Sequence, residues 1–391
     1  MLIRNKYLQS IHSSLRQFPI VALLGPRQCG KTTLAREVAN TQTAARLSRL
    51  NYFDLEDSED LARLEDPKLA LSSLSGLVVI DEIQRMPGLF KTLRFLADRQ
   101  DSTTKFLILG SASRDLIQQS SESLAGRVCY VEITPFQMAE LPSSDNSCLW
   151  LRGGFPKSFY ASSEQESWIW RNEYIRTYLE QDLPNLGVRI PPMHIRRFWM
   201  MLSHFHGQIF NASQLASSLD ISDHTVKRYL DILTGTFMVR QLQPWFENTK
   251  KRQIKSPKIY FRDSGIFHFL QGIQNHESLL TNPKLGASWE GFALEQVIYK
   301  LRATPEEAYF WGVHGAGELD LLIVKGGKRI GFEIKHTSSP TLTHSIKLAI
   351  DELKLDQFFV IFNGSKKFQM ADKVVACPLP EFILDEFEQD F

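Results

Sequence analysis

The 391-residue chain has little cysteine, no long apolar run and no surplus of charge of either sign. Its four cysteines, Cys29, Cys129, Cys148 and Cys377, are scattered without a C-x-x-C pair, which fits a reducing compartment better than a disulfide framework. No stretch approaches the ~18 consecutive apolar residues of a transmembrane helix. Near the start, Arg4, Lys6, His12 and Arg16 run through an amphipathic pattern instead of the apolar core of an export signal. No membrane partner and a cytoplasmic location are therefore expected. A net charge of +1 leaves no overall footprint of a nucleic-acid binder, so any such function has to come from local charge. Internal repeats and low-complexity segments are also absent. What the chain does have is 43% apolar residues, with 26 Phe and seven Trp, which demand folded cores. Its length suits two or three of them.

Apolar runs bounded by turn residues recur through the first third: "IVALLG" (20–25), "LNYFDL" (50–55), "LVVIDE" (77–82), "KFLILGS" (105–111) and "VCYVEI" (128–133). Such runs, separated by helical stretches, predict the buried parallel strands of a doubly wound α/β sheet. Directly after the first run, "GPRQCGKTT" fits G-x-x-x-x-G-K-[ST] with Gly25, Gly30, Lys31 and Thr32, and the helical "TTLAREVAN" follows. Glycines at those positions let the loop backbone, from Gly25 through Pro26, Arg27, Gln28 and Cys29 to Thr33, wrap a nucleotide's phosphates. Lys31 would reach the β- and γ-phosphates and Thr32 would hold Mg²⁺. ATP and Mg²⁺ are the expected cofactors. "LVVIDE" puts Asp81 and Glu82 at a strand end, on a strand expected beside the P-loop strand. There Asp81 would hold the Mg²⁺ water shell and Glu82 would polarise the attacking water, so hydrolysis is expected. Ser111 reads equally as a γ-phosphate sensor and as the N-cap of "SRDLIQQ". Arg127, in "ESLAGR", is a candidate arginine finger reaching a neighbouring subunit, which implies a homo-oligomer; the other reading is a surface ion pair.

From about 135 to 190 helical sequence takes over, notably "SWIWRNEYIRTYLEQDL", with a break at Pro191-Pro192. Residues 194 to about 262 read as three helices and two short β-like runs, "FMVRQLQ" and "KIYFRD", the order of a winged helix-turn-helix. Leu215 and Leu219 share one helical face, and Val226, Leu230 and Leu233 follow at i, i+4, i+7. That leaves His224, Lys227 and Arg228 on an open face where a recognition helix meets a DNA groove. Between 196 and 262 there are eleven Lys or Arg against four Asp or Glu, concentrated around Lys250, Lys251 and Arg252. Such a patch holds phosphates through counterion release without reading sequence. The competing reading packs these helices on the nucleotide domain as a lid or relay.

In "GELDLLIVKGGKRIGFEIKH" (317–336) a strand carries Asp320, Gly326-Gly327 turns the chain, and a return strand carries Glu333 and Lys335. Two carboxylates and an ammonium at one spot are the equipment for metal-assisted phosphodiester cleavage. An amphipathic helix expected from near Ala287 offers Glu290 or Glu295, which lie five apart and cannot point the same way. Glu318 shares the strand face of Asp320. The plain alternatives are charges on exposed strand faces, or a nuclease fold kept only for binding.

Taken in order, "PIVALLGPRQCGKTTLA", "VVIDEIQRMP", "LILGSAS", "SESLAGR", "TPFQMAEL", "GGFP" and "YLEQDL" resemble a prokaryotic family of AAA-type ATP-binding proteins with a C-terminal domain formerly of unknown function. The resemblance covers nearly the whole chain. It implies an α/β P-loop core (1–140), a helical lid and connector (141–193), a winged helix-turn-helix (194–270) and a restriction-endonuclease-like domain of PD-(D/E)XK type (271–391). In that nuclease superfamily Glu290, Asp320 and Glu333 would bind Mg²⁺ and Lys335 would orient water, with Leu319-Asp320 standing for Pro-Asp. Related signal-transduction ATPases contact adenine with a G-x-P turn, which Gly154-Phe155-Pro156 matches; a plain turn fits as well. Three functions follow: an Mg²⁺-dependent ATPase coupled to binding or remodelling of DNA, branched DNA included; a nucleotide-gated regulator whose nuclease-like domain is an inert scaffold; or an ATP-licensed DNA nuclease of defence.

Overall fold

The computed structural model describes residues 2–42, 51–99, 103–112, 124–247, 253–313 and 315–385, the side chains of 41 and 42 excepted. The chain forms two compact units. The first is Met1–Pro135 with Arg176–Ile190 and Asp231–Phe237, and the second is Phe136–Ile175, Pro191–Leu230 and Met238–Phe391.

The first unit holds a parallel sheet of five strands, β1 (Ile20–Leu24), β2 (Tyr52–Asp54), β3 (Leu77–Asp81), β4 (Lys105–Gly110) and β5 (Val128–Glu132), in the order β2-β3-β4-β1-β5. Every residue of β1 and β3 is buried, which is why these strands read as unbroken apolar runs. Ile20, Ala22, Val78, Ile80, Phe106 and Ile108 form one face of the core, closed by Leu89, Phe90 and Leu93 from the helix Leu89–Ala97. The placement of β3 beside the P-loop strand is corrected here. β4 pairs with both β1 and β3 and stands between them. The carboxyl ends of β1, β4 and β3 thus deliver the P-loop, Ser111 and the Asp81-Glu82 pair to the same edge, where open α/β sheets bind their ligands.

In the second unit nine strands form one sheet, in the order β13-β14-β12-β11-β10-β9-β7-β8-β6. They are β6 (Gln208–Ile209), β7 (Val239–Pro244), β8 (Lys258–Phe261), β9 (Ala308–Val313), β10 (Gly317–Lys325), β11 (Lys328–Lys335), β12 (Gln357–Phe362), β13 (Phe368–Ala371) and β14 (Val374–Pro378). β7 pairs antiparallel with β8 and parallel with β9, so the sheet runs through the chain on both sides of residue 270. β9, β10 and β11 form an antiparallel meander, and β12 and β14 continue it in parallel. Against β9, the register of β10 shifts between Leu319 and Leu322, a bulge that takes in Asp320. Bulges re-aim side chains in this way beside functional sites. The helix Leu285–Leu301 packs on β11. Read as amphipathic from sequence, it is buried along most of its length, Ser288 to Ile298 included but for Glu290.

The helices Ala212–Leu219 and Asp223–Gly235 are joined by a tight turn in which Asp220 has a positive φ, and Asn211 caps the first through Gln214 N–H at 3.1 Å. Leu215, Leu219, Val226 and Leu230 are buried, while His224, Lys227 and Arg228 are exposed. Lys250, Lys251 and Arg252 lie outside the described residues. Among the described residues no helix is long and apolar enough to cross a membrane.

Candidate functional sites

The P-loop is shaped by its backbone. Gly25 lies so close to the next edge of the sheet that a Cβ there would stand 2.1 Å from Ile133 O, and Gly30 has φ of 99°, which L side chains rarely adopt. Gln28 also has a positive φ, 60°. The side chains between the glycines face elsewhere. Cys29 is fully buried with Sγ 3.6 Å from Ile133 O, and Arg27 pairs with Asp182 and Glu56. Lys31 donates to Gly25 O at 2.9 Å and Pro26 O at 2.8 Å, which folds its ammonium over the loop. The helix Lys31–Gln42 then begins, with Thr32 and Thr33 in its first turn.

Across the sheet edge Thr32 Oγ1 donates to Asp81 Oδ2 at 2.7 Å, and Tyr52 donates to the same oxygen at 3.0 Å. Glu82 follows in the left-handed region with φ of 54°, an unusual conformation for this residue type, and its own N–H binds Asp81 Oδ1 at 2.9 Å. Gln84 binds both Glu82 Oε2 and Ser111 Oγ, and Ser111 Oγ is 3.3 Å from Glu82 Oε2. Burial pushes the Glu82 carboxyl above the ordinary range, against the pull of Lys31 and Arg27. The predicted Thr32, Asp81, Glu82 and Ser111 are thus joined in one network. A hydroxyl and a carboxylate in contact beside Lys31 are a donor set that fits Mg²⁺ on a phosphate. Sequence reasoning missed Tyr52, Gln84, Glu56 and Asp182. Asp182 ends a π-helical turn, Tyr178–Asp182, of a kind frequent at functional sites, and only its place in "YLEQDL" marked it.

Arg127 lies away from this network. Its guanidinium forks onto Asp98 at 2.5 and 2.9 Å and also donates to Ala125 O, the geometry of the ion-pair reading. Pro156 opens the helix Pro156–Phe159 in the second unit. Just before it, the Gly154 N–H donates to Asp263 Oδ2 at 2.7 Å, and Gly154 is pressed onto Phe136. This close packing is what requires a glycine at 154.

The second cluster gathers Glu290, Glu318, Asp320, Glu333 and Lys335. Asp320 Oδ2 accepts the Ile334 N–H at 2.9 Å, and Lys335 Nζ is 2.6 Å from Glu333 Oε1. Glu295 belongs elsewhere, forked by Arg240 at 2.5 and 2.9 Å with Arg262 beside it. Two residues were not anticipated. Tyr260 donates to Glu290 Oε1 at 2.6 Å, and Lys258, counted in the basic patch on sequence, is buried among Glu290, Glu318 and Asp320. Burial, with Asp320 next in weight, pushes both Glu290 and Glu333 up to about 7. Burial works against the Lys258 charge, yet the oxygens of Tyr260, Asp320, Glu290 and Glu318 hold the ammonium well above the usual lysine range. As placed, the cluster does not fit Mg²⁺, because an ammonium already stands among its carboxylates. Among the described residues no three His, Cys, Asp or Glu side chains are disposed to hold a metal ion.

Residues 17–142 match a family described as AAA domain, residues 144–277 a domain of unknown function (DUF8612), and residues 285–382 another (DUF4143). The nucleotide site is therefore that of an AAA-type P-loop domain. The uncharacterized protein Rv2008c of Mycobacterium tuberculosis (strain ATCC 25618 / H37Rv) is 48% identical over 373 residues, covering 95% of this chain and 83% of its own length. The uncharacterized protein Mb2031c of Mycobacterium bovis (strain ATCC BAA-935 / AF2122/97) matches to the same extent. Among solved structures, the Walker-type ATPase PABY2304 of Pyrococcus abyssi is similar with a TM-score of 0.46 and 14% identity, over 69% of this chain and 96% of that one.

Proposed function

The chain belongs to the family of these two mycobacterial proteins, and from that premise we propose that it is a magnesium-dependent ATPase whose cycle is coupled to DNA. One observation carries the enzymatic half: Thr32, Asp81, Glu82 and Ser111 are hydrogen-bonded into one network at the end of a parallel sheet, next to Lys31. Mg²⁺, when bound with ATP, spreads the negative charge that develops on the transferred phosphoryl group. Lys31 and the loop backbone hold phosphate oxygens, and Thr32 with Asp81 holds the ion. Glu82 orients the attacking water and accepts its proton, while Ser111 and Gln84 fix the carboxylate. Arg127 would serve a neighbouring subunit of a homo-oligomer only by leaving Asp98.

The DNA half rests on the exposed His224, Lys227 and Arg228 on the helix that follows the tight turn. Rates of ATP hydrolysis with duplex, forked and four-way DNA test it. Lys31→Ala should abolish turnover, and at least one DNA form should change the wild-type rate. A rate indifferent to all three ends the DNA coupling and leaves the ATPase standing. A second reading, a nucleotide-gated regulator with an inert nuclease-like scaffold, is favoured by the position of Lys258.

A further inference from the structure

The carboxylates around Asp320 already possess a cation. Lys258 enters the cluster from β8 with its side chain 3% exposed. Its ammonium is bonded to Glu318 and lies 3.5 Å from Asp320 Oδ1 and 3.7 Å from Glu290 Oε1. The ring of Phe310 sits 5.7 Å from the same ammonium. Tyr260, two residues along on the same strand face, donates to Glu290. The second oxygen of Asp320 is taken by the Ile334 N–H, and Glu333 is held by Lys335. Each carboxylate thus has an oxygen engaged by a donor of the chain itself.

Mg²⁺ demands near-octahedral oxygens at about 2.0–2.1 Å. An ion bridging Glu290 and Asp320 would have to displace the Lys258 ammonium or stand against it. The first leaves a buried lysine without its partners, and the second places like charges together where solvent screens them little. We propose that Lys258 is the resident cation of this cluster, holding the position a divalent ion would take, so that the nuclease-like site takes up neither Mg²⁺ nor Mn²⁺. The site then has no metal with which to activate water, and a cutting role is closed to it. The inference concerns the C-terminal cluster alone, so it and the ATPase reading stand or fall separately.

The test is Mn²⁺ titration of the nucleotide-free full chain, followed by the paramagnetic signal of the free ion. Comparison with Asp320→Asn subtracts any ion held at Thr32 and Asp81. Wild type and Lys258→Arg should show no Asp320-dependent binding. Lys258→Met should gain a site at least about tenfold tighter, and adding Asp320→Asn should remove it. A wild-type chain that binds one Mn²⁺ through Asp320, or a folded Lys258→Met chain that gains none, overturns the proposal. Should the Met variant fail to fold, the wild-type and Asp320→Asn comparison decides alone.

Discussion

Glu82 holds an uncommon backbone angle, φ of 54°, immediately after the aspartate that receives Thr32. A left-handed conformation costs a non-glycine residue roughly 1–2 kcal/mol, so the surrounding hydrogen bonds have to enforce it. If it is the base, Glu82→Gln lowers kcat by about 10²–10⁴ while the affinity for ATP stays within about threefold. Because burial raises its pKa, the acid limb of the kcat profile should lie above that of an ordinary glutamate and be missing in the Gln variant. Turnover and nucleotide binding measured separately across pH check both points.

His268 offers a stability test with a definite sign. Its Nδ1 donates to Leu151 O at 2.9 Å, so in the neutral ring Nε2 accepts from the Ser288 hydroxyl at 2.6 Å, whose oxygen also takes the Trp150 N–H at 3.0 Å. Burial lowers its pKa from 6.5 to about 3. The unfolded chain therefore binds a proton that the folded one refuses. The contribution is complete above 6.5 and is lost as pH falls towards 3, by at most ~1.4 kcal/mol per pH unit. His206, also buried and lowered to about 3, acts in the same direction. Glu290 and Glu333, raised to about 7, act the other way over the same window, so the sign is read from a difference: between neutrality and about pH 4.5 the thermal midpoint of the wild type should lose ground against that of His268→Gln. Little of this was legible in the sequence. A histidine in "GIFHFL" shows an apolar setting but not its partners. Lys258 was misassigned because Glu290, Glu318 and Asp320 come from distant elements; the one local signal was a lysine and a tyrosine on the same face of an apolar strand.

Among the elements, legibility followed solvent. β1, β3 and β4 are covered on both faces, so their sequences lose all alternation and announce buried strands. Their order was not legible, since nothing in "LVVIDE" or "KFLILGS" tells which neighbours β1. The same holds for the helix Leu285–Leu301, whose role is set by strands packed around it. Turns were readable as turns, but not for the contacts that require them. At Gly154 a Cβ would stand 2.2 Å from Phe136 O and 2.8 Å from Phe136 N, both backbone atoms that cannot swing away. Gly154→Ala should cost about 1–3 kcal/mol or more, seen as a lowered thermal midpoint in the purified chain.

For the whole molecule, a net charge of +1 makes any DNA affinity a local matter. Three of the eleven basic residues between 196 and 262 are spent inside the second unit, Arg240 and Arg262 on Glu295 and Lys258 on its carboxylates. Lys227 and Arg228 are among those that remain, and both are exposed. Lys227→Glu with Arg228→Glu should weaken binding to duplexes of any sequence and reduce the slope of log affinity against log salt by about 1.8 if each contacts one phosphate. An unchanged slope in a titration series over salt would remove this helix from the interface.

The nine-stranded sheet also bears on inheritance. β7 is zipped to β8 on one side and to β9 on the other, and its Arg240 neutralises Glu295 of the helix Leu285–Leu301. A fragment that began after residue 270 would carry β9 with a raw edge and a buried carboxylate stripped of its counter-charges. The last third of this chain is thus not a cassette that recombination can move alone. Moved without the strands that precede it, it should fail to fold.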